Sequence, residues 1–197
     1  MNLFTNLPLL VESVGILGVA AMIFAESGLF FGFFFPGDSL LFTAGFLASQ
    51  GTFGIQALVF LAIIAAIAGD SAGYWFGRKI GPRIFTRPDS FWFSHQRVED
   101  AHRFFEQNGA KSIFLARFIP AVRTFTPIIA GVAGMRYQAF LSWNIVGGIV
   151  WAAGIPLAGY FLGAAIPGVD RYLLPIVGLI IVLSVIPIAR EWLRRRA

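Results

Sequence analysis

Two stretches of this chain repeat one another about 86 positions apart, with the sign of the charge reversed. The first runs Glu26, Phe35-Pro36-Gly37-Asp38, Gly45-Phe46-Leu47-Ala48 and Gly73-Tyr74-Trp75-Phe76-Gly77. The second runs Arg117, Ile119-Pro120-Ala121-Val122-Arg123, Gly131-Val132-Ala133-Gly134 and Gly159-Tyr160-Phe161-Leu162-Gly163. Pro120 follows Pro36 by 84 positions, and Gly131 and Gly159 follow Gly45 and Gly73 by 86. Acids stand in apolar sequence in one copy and arginines in the other. Apolar surroundings tolerate such charges only when they meet each other, water or a ligand. The pattern predicts an internally duplicated membrane protein with an ionic site between its halves.

Composition agrees with a bilayer. Hydrophobic residues make up 57% of the 197 and charged residues 13%, about half the charge of an ordinary soluble domain. The mean hydropathy is +0.77. Residues 1–77 contain no Lys or Arg, whereas 78–111 and the Arg190, Arg194, Arg195, Arg196 tail are basic. A pI of 10.2 on a soluble chain would point to nucleic acid. Here the basic residues fall in a loop and a tail, which reads as bilayer orientation and not as a nucleic-acid partner. With no cysteine, disulfides, thiolate catalysis and thiolate metal sites are excluded. The N-terminus lacks the pattern of a cleaved signal peptide.

A spanning helix needs about 20 mostly apolar residues. Residues 55–77, 137–163 and 172–189 qualify as three full transmembrane helices, the last with Pro175 and Pro187 near its ends. Residues 16–48 and 112–134 are apolar but broken, by Pro36-Gly37 in one and by Pro120 and Pro127 in the other. Proline removes a backbone donor and clashes with the preceding turn, so both regions are expected to be re-entrant helix–break–helix hairpins. Asp38 is expected to cap a helix from Ser39, and Thr126 a helix with Pro127 in its first turn. Irregular backbone at membrane depth must be buried in protein or line a wet cavity, so the hairpins are expected to face each other. Phe93 to Asn108 reads as an amphipathic cytoplasmic helix ending before Gly109. Residues 2–14 are its expected counterpart on the other face; the alternative makes 8–25 a full span.

The expected fold class is thus an all-α integral membrane protein. It comprises an inverted repeat with two opposed re-entrant hairpins, three full spans and an amphipathic cytoplasmic helix. The chain is read as one membrane domain: a first repeat 1–77, a cytoplasmic loop 78–111, a second repeat 112–165, and a C-terminal span with basic tail 170–197. The C-terminus is expected in the cytoplasm.

The motifs resemble the DedA family, the bacterial branch of the SNARE-associated or VTT-domain membrane proteins. The pieces that carry the resemblance are Glu26, Pro36-Gly37-Asp38, Gly69-Asp70 and Gly73-Tyr74-Trp75-Phe76-Gly77-Arg78. Phe114-Leu115-Ala116-Arg117-Phe118-Ile119-Pro120-Ala121-Val122-Arg123-Thr124, Pro127 and Ala130-Gly131 follow in order. The resemblance implies two opposed re-entrant hairpins and the bacterial inner membrane. It also implies transport of polyprenyl-phosphate or other phospholipids, often linked to the proton-motive force. It assigns function to the acidic and arginine pairs, which map onto Glu26, Asp38, Arg117 and Arg123.

Arginine matches phosphate with a planar fork of donors, so Arg117 and Arg123 are the expected phosphate-binding residues. A half-helix starting near Pro127 would add its free N–H groups. The plainer reading is that both arginines only pair with Glu26 and Asp38 to close the hairpins. A carboxylate that alternates between apolar surroundings and an arginine partner can load and release a proton, which makes Glu26 and Asp38 the proton-coupling candidates. Nothing local accounts for Glu26 otherwise, whereas Asp38 is also explained as a cap. Asp70 can join the polar site or pair with Arg78; a structural role is favoured because polar residues near span ends are cheap. Pro36, Gly37, Pro120 and Pro127 support the site by breaking the helices. The Gly-Tyr-aromatic-x-Gly motifs read as packing surfaces. His95, Glu99, His102 and Glu106 share one helix face, which a solvated face explains as well as a metal would. No metal, no cofactor and no enzyme is expected, since the apolar parts contain no histidine.

The expected partners are membrane lipids, protons and a polyprenyl-phosphate or phospholipid substrate, with homo-oligomerisation left open. The alternative function is a proton-coupled small-ion or solute exchanger using the same four charges.

Overall fold

The backbone follows the helix breakers. A computed structural model describes residues 7–28, 37–84, 103–105 and 107–165. Helix α1 runs Leu7–Gly28, α2 Gly37–Ser49, α3 Ile55–Ile84, α4 Lys111–Ala116, α5 Pro120–Val132 and α6 Tyr137–Ala165. No strand occurs among the described residues. Stretches within α1, α3 and α6 (Pro8–Gly28, Ile55–Ile80, Tyr137–Ala165) are long and apolar enough to cross a membrane. The latter two are the spans expected over 55–77 and 137–163. The expected span 172–189, the basic tail and most of the 93–108 helix lie outside the described residues.

Helix α1 is interrupted at Gly15, whose φ of 62° and ψ of −171° suit only a residue without Cβ. The break falls between the two expected segments 2–14 and 16–48, although the stretch is also long enough for the alternative span. Residues 103–105 and 107–108 are helical. They end at Gly109, where φ is 68° and the N–H donates to the Phe105 carbonyl at 2.9 Å. That is the glycine stop expected from the sequence.

The second broken region is a helix–break–helix, but its joints differ from expectation. Helix α4 ends at Ala116, residues 117–119 turn, and α5 starts at Pro120. Thr126 does not cap a helix: it lies inside α5 and its hydroxyl donates to the Val122 carbonyl at 2.7 Å. The physical reason is that Pro120 already occupies the first turn, where a missing N–H costs nothing. Pro127 is then tolerated as an interior residue that denies its N–H to the Arg123 carbonyl. Likewise α2 starts at Gly37, so Asp38 sits in the first turn, where its charge meets the positive end of the helix. Both α2 and α5 end the same way. Gly51 and Gly134 take φ of 86° and 71°, and paired bonds run back to Leu47 and Ala48, and to Ala130 and Gly131. This is the Schellman stop that glycine permits.

The chain divides into two compact units, each drawn from separated segments. One contains Met1–Ile23, Phe35–Ala65 and Ala152–Ala197; the other contains Phe24–Phe34 and Ala66–Trp151. In the first, α2 lies against the last turns of α6 so closely that a Cβ at Gly45 would strike the Pro156 carbonyl. One at Gly159 would strike the Phe42 carbonyl. In the second, a Cβ at Gly77 would strike the Ile128 carbonyl and one at Gly131 the Tyr74 carbonyl. Gly73 also faces Ile128. Gly73 and Ile128 stand 86 positions before Gly159 and after Phe42 respectively, so each unit repeats the other's glycine contact with the partners exchanged. The Gly-Tyr-aromatic-x-Gly motifs are thus packing surfaces, as small residues at helix crossings allow. The second unit's core is Tyr74, Ile113, Ala130 and Phe140. Tyr74 stacks on Phe140 at 4.8 Å between centroids, and its hydroxyl donates to the Met135 carbonyl.

Candidate functional site: two buried ion pairs

Within the second unit, glycine first sets the approach of the backbones. A Cβ at Gly28 would come within 2.8 Å of the Gly69 carbonyl, and one at Gly69 within 2.7 Å of the Phe24 carbonyl. This contact brings the last turn of α1, with Glu26, against α3 one residue before Asp70. Glu26 is 4% exposed and Asp70 6%. Each acid is met by an arginine from the second broken region. Arg123 Nη2, on the first turns of α5, donates to Glu26 Oε1 at 2.5 Å. Arg117, at the end of α4, pairs through Nη2 with Asp70 Oδ2.

Arg117 is 5% exposed and holds a second polar contact. Its Nη2 donates to Asn144 Oδ1 at 2.7 Å, and Asn144 Nδ2 donates to the Ile67 carbonyl at 3.2 Å. Asn144, wholly buried, is therefore oriented by α3 to accept from the arginine. Space for the guanidinium comes from Gly147-Gly148 on α6. A Cβ on Gly147 would lie 3.3 Å from Arg117 Cδ, and one on Gly148 3.2 Å from Nη1. The Trp151 ring, 5% exposed, lies 4.6 Å from the Arg123 guanidinium carbon and 5.9 Å from that of Arg117. Both are within cation–π range. Arg117 Nη1 is buried and has no hydrogen-bond partner among the described residues. An unmet cationic donor in an interior is costly, so the site as it stands has unused capacity for an anion.

The arrangement departs from the expected pairing. Glu26 meets Arg123 as one of the anticipated pairs, but Arg117 meets Asp70, for which the sequence offers either the polar site or Arg78 and favours a structural role. Asp70 and Arg78 stand eight residues apart on one helix, about 12 Å along its axis. Arg78 turns instead to the Tyr74 hydroxyl at 3.1 Å and the Met135 carbonyl at 3.5 Å. Asp38 belongs to the first unit, at the start of α2. Pro36 lies outside the described residues, as do His95, Glu99, His102 and Glu106. Asn144, Trp151 and the Gly147-Gly148 pair are additions that sequence reasoning missed. The available signals were an amide in mid-span and a tryptophan far from the interface, where that residue is commonest.

Comparison with known proteins agrees with the motifs. The VTT domain model matches residues 35–161. The chain is 46% identical over 166 residues to an uncharacterized membrane protein, ML0287, of Mycobacterium leprae, covering 84% of this chain and 74% of that one. It is 42% identical over 177 residues to protein DedA of Escherichia coli K12, covering 89% and 80%. It is 35% identical over 145 residues to the inner membrane protein YqjA of the same strain, covering 72% and 64%. No solved structure matches. With apolar helices long enough to span and a match over most of its length, this chain is a membrane protein of the DedA family of VTT-domain proteins.

Proposed function

We propose that this protein moves a phosphate-bearing lipid, undecaprenyl phosphate or a phospholipid, across the bacterial inner membrane, linked to the proton-motive force. The observation that carries the reading is the Arg117 Nη1, a buried cationic donor with no partner among the described residues, beside a second arginine. A phosphate monoester offers such a pair three acceptor oxygens and a phosphodiester two, and either can replace the carboxylates. Displaced from Arg123, Glu26 would take up a proton, and the return of the ion pair would release it. Asp70 would serve Arg117 in the same way, with Asp38 kept as a further proton-coupling candidate.

The hairpin reading belongs to this proposal. Helices α2 and α5 have 13 residues each, about 20 Å of helix against a hydrocarbon core of about 30 Å. They are too short to span, and their matching glycine stops and exchanged glycine contacts support two inverted copies. The basic loop and C-terminal tail would lie in the cytoplasm.

The near-complete burial of both ion pairs favours one other reading, a proton-coupled exchanger of small ions, which needs no opening for a headgroup. Reconstituted liposomes carrying fluorescent undecaprenyl phosphate separate the two. Arg123→Ala is expected to slow movement between leaflets by about tenfold or more, the worth of a charged hydrogen bond. Glu26→Gln is expected to abolish the response to an imposed pH gradient. Proton flux without lipid movement would instead establish the exchanger.

A further inference from the structure

A second basic site lies apart from the ion pairs. Trp75, Arg78, Gly134, Arg136, Tyr137 and Gln138 line a cavity of about 320 Å³ where α6 begins beside α3. None of these residues belongs to the buried cluster around Arg117 and Arg123. Two guanidinium groups share the cavity, and among the described residues no carboxylate lines it. Like charges held together repel unless an anion lies between them.

The two arginines are prepared differently. Arg78 is anchored by the Tyr74 hydroxyl and the Met135 carbonyl, at 3.1 and 3.5 Å. Tyr74 is itself wholly buried in the core, so this guanidinium is set in place before any ligand arrives. Arg136 is exposed and makes no ion pair among the described residues, so its donors are available. Beside them Trp75, half exposed, and Tyr137 pack ring to ring at 5.2 Å. Amphipathic aromatics of this kind sit at headgroup level in membrane proteins. Basic pockets between membrane helices at that level suit anionic headgroups.

We infer that this cavity binds the phosphate of an anionic phospholipid headgroup, with Arg78 and Arg136 as the phosphate ligands, the Gln138 amide as a polar neighbour and Trp75–Tyr137 as the interfacial wall. The inference does not rest on transport. A protein that moves no lipid would still hold one here.

The test is native mass spectrometry of the full chain in detergent, titrated with phosphatidylglycerol, phosphatidylcholine or inorganic phosphate. Phosphatidylglycerol is expected to be retained about tenfold more than phosphatidylcholine, which carries the same phosphate but adds a choline cation that two arginines repel. Arg136→Gln, an exposed change that leaves the thermal midpoint in place, is expected to remove most of that preference. Arg78→Gln is expected to do the same. Equal retention of the two lipids overturns the inference. So does a preference that survives both substitutions, because other basic segments would then account for it. Displacement of the lipid by inorganic phosphate at equal concentration would overturn the lipid assignment and make the ligand a soluble phosphate compound.

Discussion

At the scale of single residues, the site consists of charges that cannot be left alone. Removing one partner of a buried pair costs about 3–5 kcal/mol, chiefly because the other charge stays buried and unmet. Asp70→Ala is therefore expected to lower stability by that amount in a denaturant titration. Asp70→Ala combined with Arg117→Met is expected to recover most of the loss, since neither charge remains. Additive losses would mean that the pair is not coupled. Glu26, Arg117 and Arg123 were legible in the sequence because an ionised group in an apolar run demands a partner. Which partner was not legible. The place of Asp70 near the end of a span favours a structural role, and the neutral amide of Asn144 makes no comparable demand for a partner. Both entered the site through helix crossings that no local pattern encodes.

At the scale of elements, glycine decides how closely the helices approach. A Cβ at Gly77 would strike the Ile128 backbone carbonyl, which cannot turn aside, whereas one at Gly73 would rest 3.5 Å from Pro127 Cβ in ordinary contact. Gly77→Ala is expected to destabilise the protein by about 1–3 kcal/mol, the usual cost of overpacking. Gly73→Ala is expected to be near neutral or slightly stabilising, because glycine is the poorer helix former. Thermal unfolding of the two variants in one detergent checks the contrast, and equal effects would contradict the packing. The glycine motifs are readable as packing surfaces, but their identical spacing gives no sign that Gly77 is tight while Gly73 is not. The start of α5 differs from the sequence expectation for a similar reason. Pro120 and Pro127 are both acceptable first-turn residues, and the turn at residues 117–119 puts Pro120 in that place.

At the scale of the whole molecule, structural and functional uses of the same charges can be separated. Reversing the Glu26–Arg123 pair as Glu26→Arg with Arg123→Glu keeps the attraction but places the cation on another helix. Thermal stability is expected to recover most of what either single change loses, while leaflet-to-leaflet movement of the phosphate lipid stays at least about tenfold below wild type. Recovery of both would mean that only the pairing matters.

Read along the chain alone, the residues establish a helical membrane protein with two broken apolar stretches, in which Glu26, Arg117 and Arg123 must be satisfied inside. These are one-dimensional facts: hydropathy, proline and charge act on the chain where they stand. It takes the folded molecule to show that Arg117 meets Asp70 and Asn144, that Gly147-Gly148 makes room for it, and that Trp151 lies against both arginines. Such contacts depend on how closely α1, α3, α5 and α6 approach. That distance is set by backbone against backbone at a few glycines, far along the chain from the charges they bring together.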